Sequence, residues 1–485
     1  MKLNQNKTPL YDAVVAYTKR DITPMFMPAH MMGRAINPKW TDLAGETIFR
    51  MDICEVDGLD DLNEPDGVIL EAQKLAADAW GAAESFFIVN GTSSANISAI
   101  CSVVSEGETI IVPRNCHKSV IYGLILSGAV PVFAFPQVSD ELGLIGGMNP
   151  AEIERVYREN PQAKAVLSVV PTYHGVYSDL TSISDIVHKH GGIHIVDEAH
   201  GNHVYFNDRY PAGGLRCGAD IVTQSTHKVS GSLSQSSMLH VNSDLVDLHR
   251  LRFNLKMTQN TSPSGLLEIS LDLARHYMVT QGQSVLERVY HLVEYGKAEI
   301  EKIEGFSIID RRIAGICHIA DMEPGRLVIS ARDLGLTGYD LEAMLIGNYG
   351  IQIEFSDNFY IVCMVGLGGT RADLDRLIAA CREISAGHKG RRPLAKWRNK
   401  LPAMPEAVMT PRQAYVAPVE TVSWAAARGR VSAEMIVPYP PGIPAICPGE
   451  RISDEVWEFL EDQSKQGRHL HGVSGGSLDT IRVVK

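Results

Sequence analysis

The chain has 485 residues, 45% of them apolar and 21% charged. About three ordinary domains fit in that length, which excludes a small stapled scaffold and leaves no room for long disorder. The formal charge of 45 − 57 = −12 excludes nucleic-acid backbone or an anionic lipid surface as the main partner, and is compatible with a cationic small molecule.

The N-terminus, MKLNQNKTPLYDAVVAYTKRD, has neither a continuous apolar core nor a small-residue cleavage site, so no signal peptide is expected. Eight cysteines lie scattered with no CxxC pair, a pattern of reduced thiols that points to a cytoplasmic location. From about residue 80 to 240, short β-branched runs alternate with amphipathic segments, the signature of βαβ units and a mostly parallel sheet. Strands are expected at 85–90, 109–113, 131–135, 165–170, 193–197 and 220–224. A helix is expected at 94–104, and another at 151–160 with Asn149 as N-cap and Pro150 in its first turn. The uncharged stretch 119–139 is broken by Gly123, Ser127, Gly128 and Pro131, so it reads as helix, turn and strand instead of a membrane span.

A helical stretch at 284–304 leaves this domain, and the segments that follow read as a smaller α+β domain. The basic, proline-containing run KGRRPLAKWRNKLPAMP (389–405) reads as a linker to a C-terminal unit. The expected division is an N-terminal segment 1–40, a large domain 41–285, a small domain 286–390, and a linker with C-terminal domain 391–485.

Ligands of such folds sit beyond the carboxyl ends of the strands, which makes the segments just after each strand the place to search. No GxGxxG fingerprint and no GxxxxGK[ST] loop occurs, and the histidines His188, His190, His194, His200 and His203 lack metal-ligand spacing, so no metal is expected. GTSSAN (91–96) follows a strand and opens a helix, where amides and hydroxyls could cradle a phosphate, although such residues are usually only caps. DEAHG (197–201) ends a buried strand with an acidic pair that serves a structural ion pair as readily as chemistry. STHK (225–228) puts a lysine at a strand end, where burial in a crevice is costly unless the amine is used. Together the three meet one specification. A pyridoxal phosphate enzyme needs a lysine for covalent attachment, a carboxylate for the pyridine nitrogen, and a hydroxyl-lined helix end for the phosphate.

Over nearly its whole length the sequence resembles the fold-type I pyridoxal phosphate decarboxylases of ornithine, lysine and arginine, in their short bacterial form. The motifs that carry the resemblance are TPLYDAV (8–14), LDDL (59–62), FFIVNGTSSAN (86–96), PRNCHKS (113–119), PTYHG (171–175), VDEAHG (196–201), QSTHK (224–228), SLSQSS (232–237) and PYPPGIPAICPGE (438–450). It implies the pyridoxal phosphate-dependent transferase-like fold and decarboxylation of a basic amino acid, with arginine favoured over lysine and ornithine. By the same resemblance Lys228 carries the cofactor as a Schiff base, Asp197 pairs with the pyridine nitrogen, and His117 stacks on the ring. Thr92, Ser93, Ser225 and His227 surround the phosphate, with Ser94 and His200 as neighbours, and Glu450 receives the cationic substrate tail. The proton that replaces the carboxylate is expected from Lys228 or a histidine.

Several positions depart from the family pattern. Ala29 and Met31 stand at the glycine and lysine of a P-G-H-K motif, Asn63 at a histidine after LDDL, Gly265 where tyrosine follows TSPS, and Glu268 where an apolar residue is common. These motivate a second reading, a pyridoxal phosphate enzyme acting on a non-basic or modified amino acid, or by oxidation or transamination. A non-catalytic homologue is a third, against which both Lys228 and Asp197 speak. The resemblance also implies a homodimer or a dimer of dimers, with TSPS (261–264) contributed to the neighbouring subunit's site.

Overall fold

The computed structural model describes residues 3–53, 55–139, 141–394, 402–439, 444–465, 469–473 and 477–485. Cys54, residues 395–401 of the expected linker and residues 440–443 of the PYPPGIPAICPGE motif lie outside the described residues. The chain forms two compact units: residues 1–102, 195–208 and 212–286 make the first, and residues 103–194, 209–211 and 287–485 the second.

Seven strands recur below: β1 Glu84–Ile88, β2 Thr109–Pro113, β3 Val130–Ala134, β4 Ala165–Val169, β5 Ile193–Asp197, β6 Ile221–Gln224 and β7 Ser237–Val241. In the first unit the order is β1, β7, β6, β5. β5 and β6 are parallel, with Asp197 opposite Thr223, whereas β7 runs antiparallel to both of its neighbours. Six strands fall within a residue or two of expectation. β7 was not expected, because a strand antiparallel to both neighbours breaks the βαβ rhythm.

The helix after β1 starts at Gly91 and ends at Val103, so the hydroxyl run is itself the first turn. Gly91 has φ +76, which only glycine adopts without strain. The long helix Gly265–Ile300 begins well before the expected 284. At its first residue the backbone packs closely: a Cβ on Gly265 would lie 2.3 Å from the Ile53 carbonyl oxygen. The family's tyrosine does not fit there.

In the second unit β4, β2 and β3 are parallel neighbours. All five residues of β2 are buried, each large apolar one contributing about 1.5–3 kcal/mol. The helix Pro150–Glu159 starts as read, with the Asn149 side chain accepting from the Ala151 N–H at 3.0 Å. Further along, strands Ser307–Ile309, Arg326–Ser330, Ile361–Met364 and Phe355–Ser356 form an antiparallel sheet in that order. Helices Gly338–Tyr349 and Arg371–His388, each opened by a capping box, supply its α component. The C-terminal part pairs Val419–Ser423 with Thr480–Val484 and packs Trp424, Ile446, Leu460 and Ile481 into its own core. Among the described residues no helix is long and apolar enough to cross a membrane.

Candidate active site

In the first unit, β5 and β6 deliver Asp197 and the Ser225–Lys228 turn to the same sheet edge. Asp197 is 3% exposed. Its Oδ2 accepts from Asn96 Nδ2 at 2.8 Å and its Oδ1 from the Ala199 N–H at 3.1 Å. Asn96 is held in turn by the Thr223 hydroxyl, which donates to its Oδ1 at 2.6 Å. No cationic side chain of the described residues pairs with Asp197. A buried carboxylate without a counter-cation is a poor resting arrangement and a good acceptor for a cationic ring N–H. The residues present therefore fit a protonated pyridine. Asn96 carried no assigned role in the sequence reading; because the helix starts at Gly91, ahead of the expected 94, Asn96 stands i, i+4 from Thr92 on one face.

Lys228 differs from expectation. It sits on the four-residue helical turn Thr226–Val229 and is exposed in this chain, because β6 ends at Gln224 and the turn carries the side chain beyond the sheet edge. Its Nζ lies 2.9 Å from Nε2 of the buried His200. An ammonium has only donors, so a protonated Lys228 makes Nε2 the acceptor and puts the His200 ring proton on Nδ1.

The hydroxyls form a relay whose direction follows from proton counting. Ser237 Oγ donates to the Gln224 carbonyl at 2.6 Å, so Thr92 must donate to Ser237 at 2.7 Å, and Ser225 to Thr92 at 2.6 Å. The Ser225 and Thr92 protons are thereby occupied within the protein. At the same helix end Ser94 Oγ donates to the Gly91 carbonyl, while Ser93 is exposed. His227 Nδ1 donates to the Ser236 carbonyl at 2.7 Å, leaving Nε2 as an acceptor. Burial, offset in part by that carbonyl and aided by Lys228, holds its pKa below the ordinary histidine value.

Behind the turn lies a buried network that the sequence reading did not resolve. Glu198 accepts from Tyr205 Oη at 2.7 Å, Gln224 Nε2 at 2.6 Å and the Gly214 N–H at 2.8 Å. Burial pushes its pKa up to about 7, and these three donors oppose the rise. Gln224 Oε1 accepts from Asn202 Nδ2 at 2.6 Å and faces His240 Nε2 at 3.0 Å. Burial drives the His240 pKa down to about 3, so the ring is neutral.

The second unit carries His117 and Glu450. His117 is the N-cap of helix Lys118–Ser127, its Nδ1 accepting from the Ser119 N–H at 3.2 Å, so a neutral ring has its proton on Nε2. Glu450 does not stand open for a substrate tail. Its oxygens take Arg114 Nη1 at 2.5 Å, Arg114 Nη2 at 2.9 Å and the Cys447 N–H at 2.7 Å, and both charged side chains are 4% exposed. The histidine tract disperses: His194 lies between the Ser168 and Ser184 hydroxyls at 2.8 Å each, and His190 stacks on Tyr157.

Strand order, the parallel β5–β6 pair and the strand-end chemistry define the pyridoxal phosphate-dependent transferase-like fold, fold type I. A solved lysine decarboxylase, LdcF of Francisella novicida, superposes with a TM-score of 0.87 over 99% of this chain and 81% of that one, at 23% identity. Residues 8–373 match the Orn/Lys/Arg decarboxylase major domain and residues 395–475 its C-terminal domain. The arginine decarboxylase of Halalkalibacterium halodurans is 37% identical over 99% of this chain and 98% of its own length. That of Bacillus subtilis is also 37% identical, over 100% of this chain and 99% of its own. The chain belongs to the Orn/Lys/Arg decarboxylase family and is a decarboxylase of the class acting on basic amino acids.

Proposed function

We propose that this chain converts arginine to its amine and carbon dioxide, with pyridoxal 5'-phosphate held by Lys228 and Asp197; lysine and ornithine are the competing substrates. The observation that carries the reading is the buried Asp197, which has no cationic partner among the described residues, beside the Lys228 turn at the ends of neighbouring parallel strands. Arginine is favoured by the two relatives named arginine decarboxylase that match along the full chain. When bound, pyridoxal phosphate supplies an electron sink that no side chain provides.

The chain's own residues do the rest. Lys228 is the attachment amine, and His200 Nε2 is positioned to accept its proton. Asp197, oriented by Asn96, keeps a proton on the ring nitrogen. The amides opening helix Gly91–Val103 at Thr92, Ser93 and Ser94 favour a phosphate, with Ser225 and His227 beside them. His117 is assigned to the ring face, and Lys228 or a histidine returns a proton to Cα. Glu450 is the residue assigned to the substrate tail, and its pairing with the Arg114 guanidinium stands against that role. A homodimer or dimer of dimers sharing the TSPS segment, a cytoplasmic location, the four-part domain division and a place in polyamine-related metabolism complete the proposal.

The test is an absorption spectrum of the purified protein, followed by arginine, lysine and ornithine in turn with product analysis. A visible-edge band that shifts with arginine and yields its amine is expected, and Lys228→Ala abolishes both. A protein that takes up cofactor yet releases no carbon dioxide from any of the three refutes the reaction. Keto acid or peroxide in place of amine selects the second reading.

A further inference from the structure

Asn202 has no part in the chemistry above, and its side chain binds the chain on both sides of Lys228. It is 0% exposed and opens the short 3-10 turn Asn202–Phe206, just after β5 ends at Asp197. Its Oδ1 accepts from the Ser230 hydroxyl, and its Nδ2 donates to Gln224 Oε1 at 2.6 Å. Gln224 is the last residue of β6, ahead of Lys228 in the chain. Ser230 follows Lys228, and its N–H bonds the Thr226 carbonyl at 3.0 Å to close the turn. One amide side chain therefore joins the entry of the Lys228 turn to its exit.

The direction of each bond follows from the partners. Gln224 turns its Nε2 to Glu198 at 2.6 Å, which leaves its Oε1 as an acceptor. The neutral His240 ring donates to that oxygen from Nε2 at 3.0 Å, and its Nδ1 accepts from the Ser85 hydroxyl at 2.6 Å. Asn202 must then present its NH2 to Gln224 and its carbonyl to Ser230. Its backbone is anchored as well, the main-chain oxygen accepting from Trp80 Nε1 at 3.1 Å. Asn202, Gln224, Ser230 and His240 are all 0% exposed, so water does not replace a partner that is removed.

The same residue reaches the proton acceptor of Lys228. Asn202 lies two positions after His200, whose Nε2 is 2.9 Å from Lys228 Nζ. Lys228 itself is exposed on a flexible four-carbon stem, so the place of its amine follows from the backbone of the turn.

We infer that Asn202 is a positioning residue: by linking Gln224 to Ser230 it fixes the turn that carries Lys228 and the register of that turn against His200. All of these residues belong to the first unit. Apolar side chains at 202 and 230 would fill the same space, and only a polar pair ties the two ends together. The inference rests on the reading of Lys228 as the attachment amine.

The test uses the full-length chain freed of cofactor and recombined with pyridoxal 5'-phosphate, following the growth of the visible-edge band and its induced circular dichroism. Asn202→Leu and Ser230→Ala are each expected to slow attachment about tenfold or more and to alter the induced signal, with far-UV circular dichroism and tryptophan fluorescence as in wild type. The double variant is expected to be no slower than the slower single one, because both changes break the same link. Ser230→Thr keeps the hydroxyl and is expected to restore attachment. Wild-type rates and induced signals in both single variants overturn the inference, as does fully additive slowing in the double variant. If Asn202→Leu does not fold, Ser230→Ala decides alone, since it leaves the bonds of Asn202 to Gln224 and Trp80 in place. A wild-type chain that forms no visible-edge band refutes the reading of Lys228, and the inference with it; failure of the inference alone leaves that band intact.

Discussion

Replacing Glu450 with leucine removes the carboxylate that pairs with Arg114 among the described residues while leaving the guanidinium 4% exposed. Among the described residues Arg114 then keeps the Pro444 and Ala445 carbonyls, at 3.0 and 3.2 Å, and the face of the Phe133 ring, 4.8 Å from its centroid. Two charge-assisted bonds are lost, and the Cys447 N–H loses its acceptor. An orphaned buried charge costs about 3–5 kcal/mol, whereas replacing both partners with apolar residues is close to neutral. Glu450→Leu is therefore expected to lower stability by about 3–5 kcal/mol, and Arg114→Met with Glu450→Leu to recover most of it. The assay is urea unfolding followed by tryptophan fluorescence, since Trp424 and Trp457 stack at 5.8 Å in the C-terminal core. If Glu450→Leu unfolds at the wild-type midpoint and instead raises KM for a basic substrate tenfold, the carboxylate serves the substrate and the argument for a structural pair fails.

Three further perturbations test other parts of the structure. Asn96→Leu removes the 2.8 Å bond that orients Asp197. It is expected to reduce kcat by about 10–100-fold with the covalent cofactor band retained, in line with the loss of other supporting hydrogen bonds; unchanged kcat refutes the positioning role. Burial pushes the Glu198 pKa up to about 7 in the folded chain, above the ordinary 4.5 of a glutamate carboxyl. Between those values the folded state holds a proton that the unfolded state has lost, so stability falls as pH rises through the window, by about 3 kcal/mol. The urea midpoint of wild type should drop between pH 5 and pH 8, and the non-titrating Glu198→Gln should remove that component. Gly265→Ala places a Cβ 2.3 Å from the Ile53 carbonyl oxygen and is expected to cost about 1–3 kcal/mol by urea unfolding. An unchanged midpoint shows that the segment around Ile53 moves freely.

What local sequence determined is what depends on covalent neighbours. The β-branched runs became strands in nearly the expected places, Asn149 capped its helix, and GTSSAN opened another. Asp197 and the Lys228 turn each stand at the carboxyl end of a strand, which local alternation and strand ends reveal; the parallel β5–β6 pairing that brings them side by side is tertiary. What only tertiary structure decided concerns partners distant in the chain. Arg114 and Glu450 are separated by 336 positions, so no local spacing reveals that one occupies the other. β7 became a strand because the edges of β1 and β6 offered it backbone partners on both sides. Gly265 and Glu268 look like substrate-pocket departures in a linear reading; the approach of Ile53 and the burial of Glu268 beside Glu55 and Asp60 give each a specific environment. Pattern and propensity act over a few residues, whereas burial of a charge or a clash with a carbonyl exists only after distant segments have met.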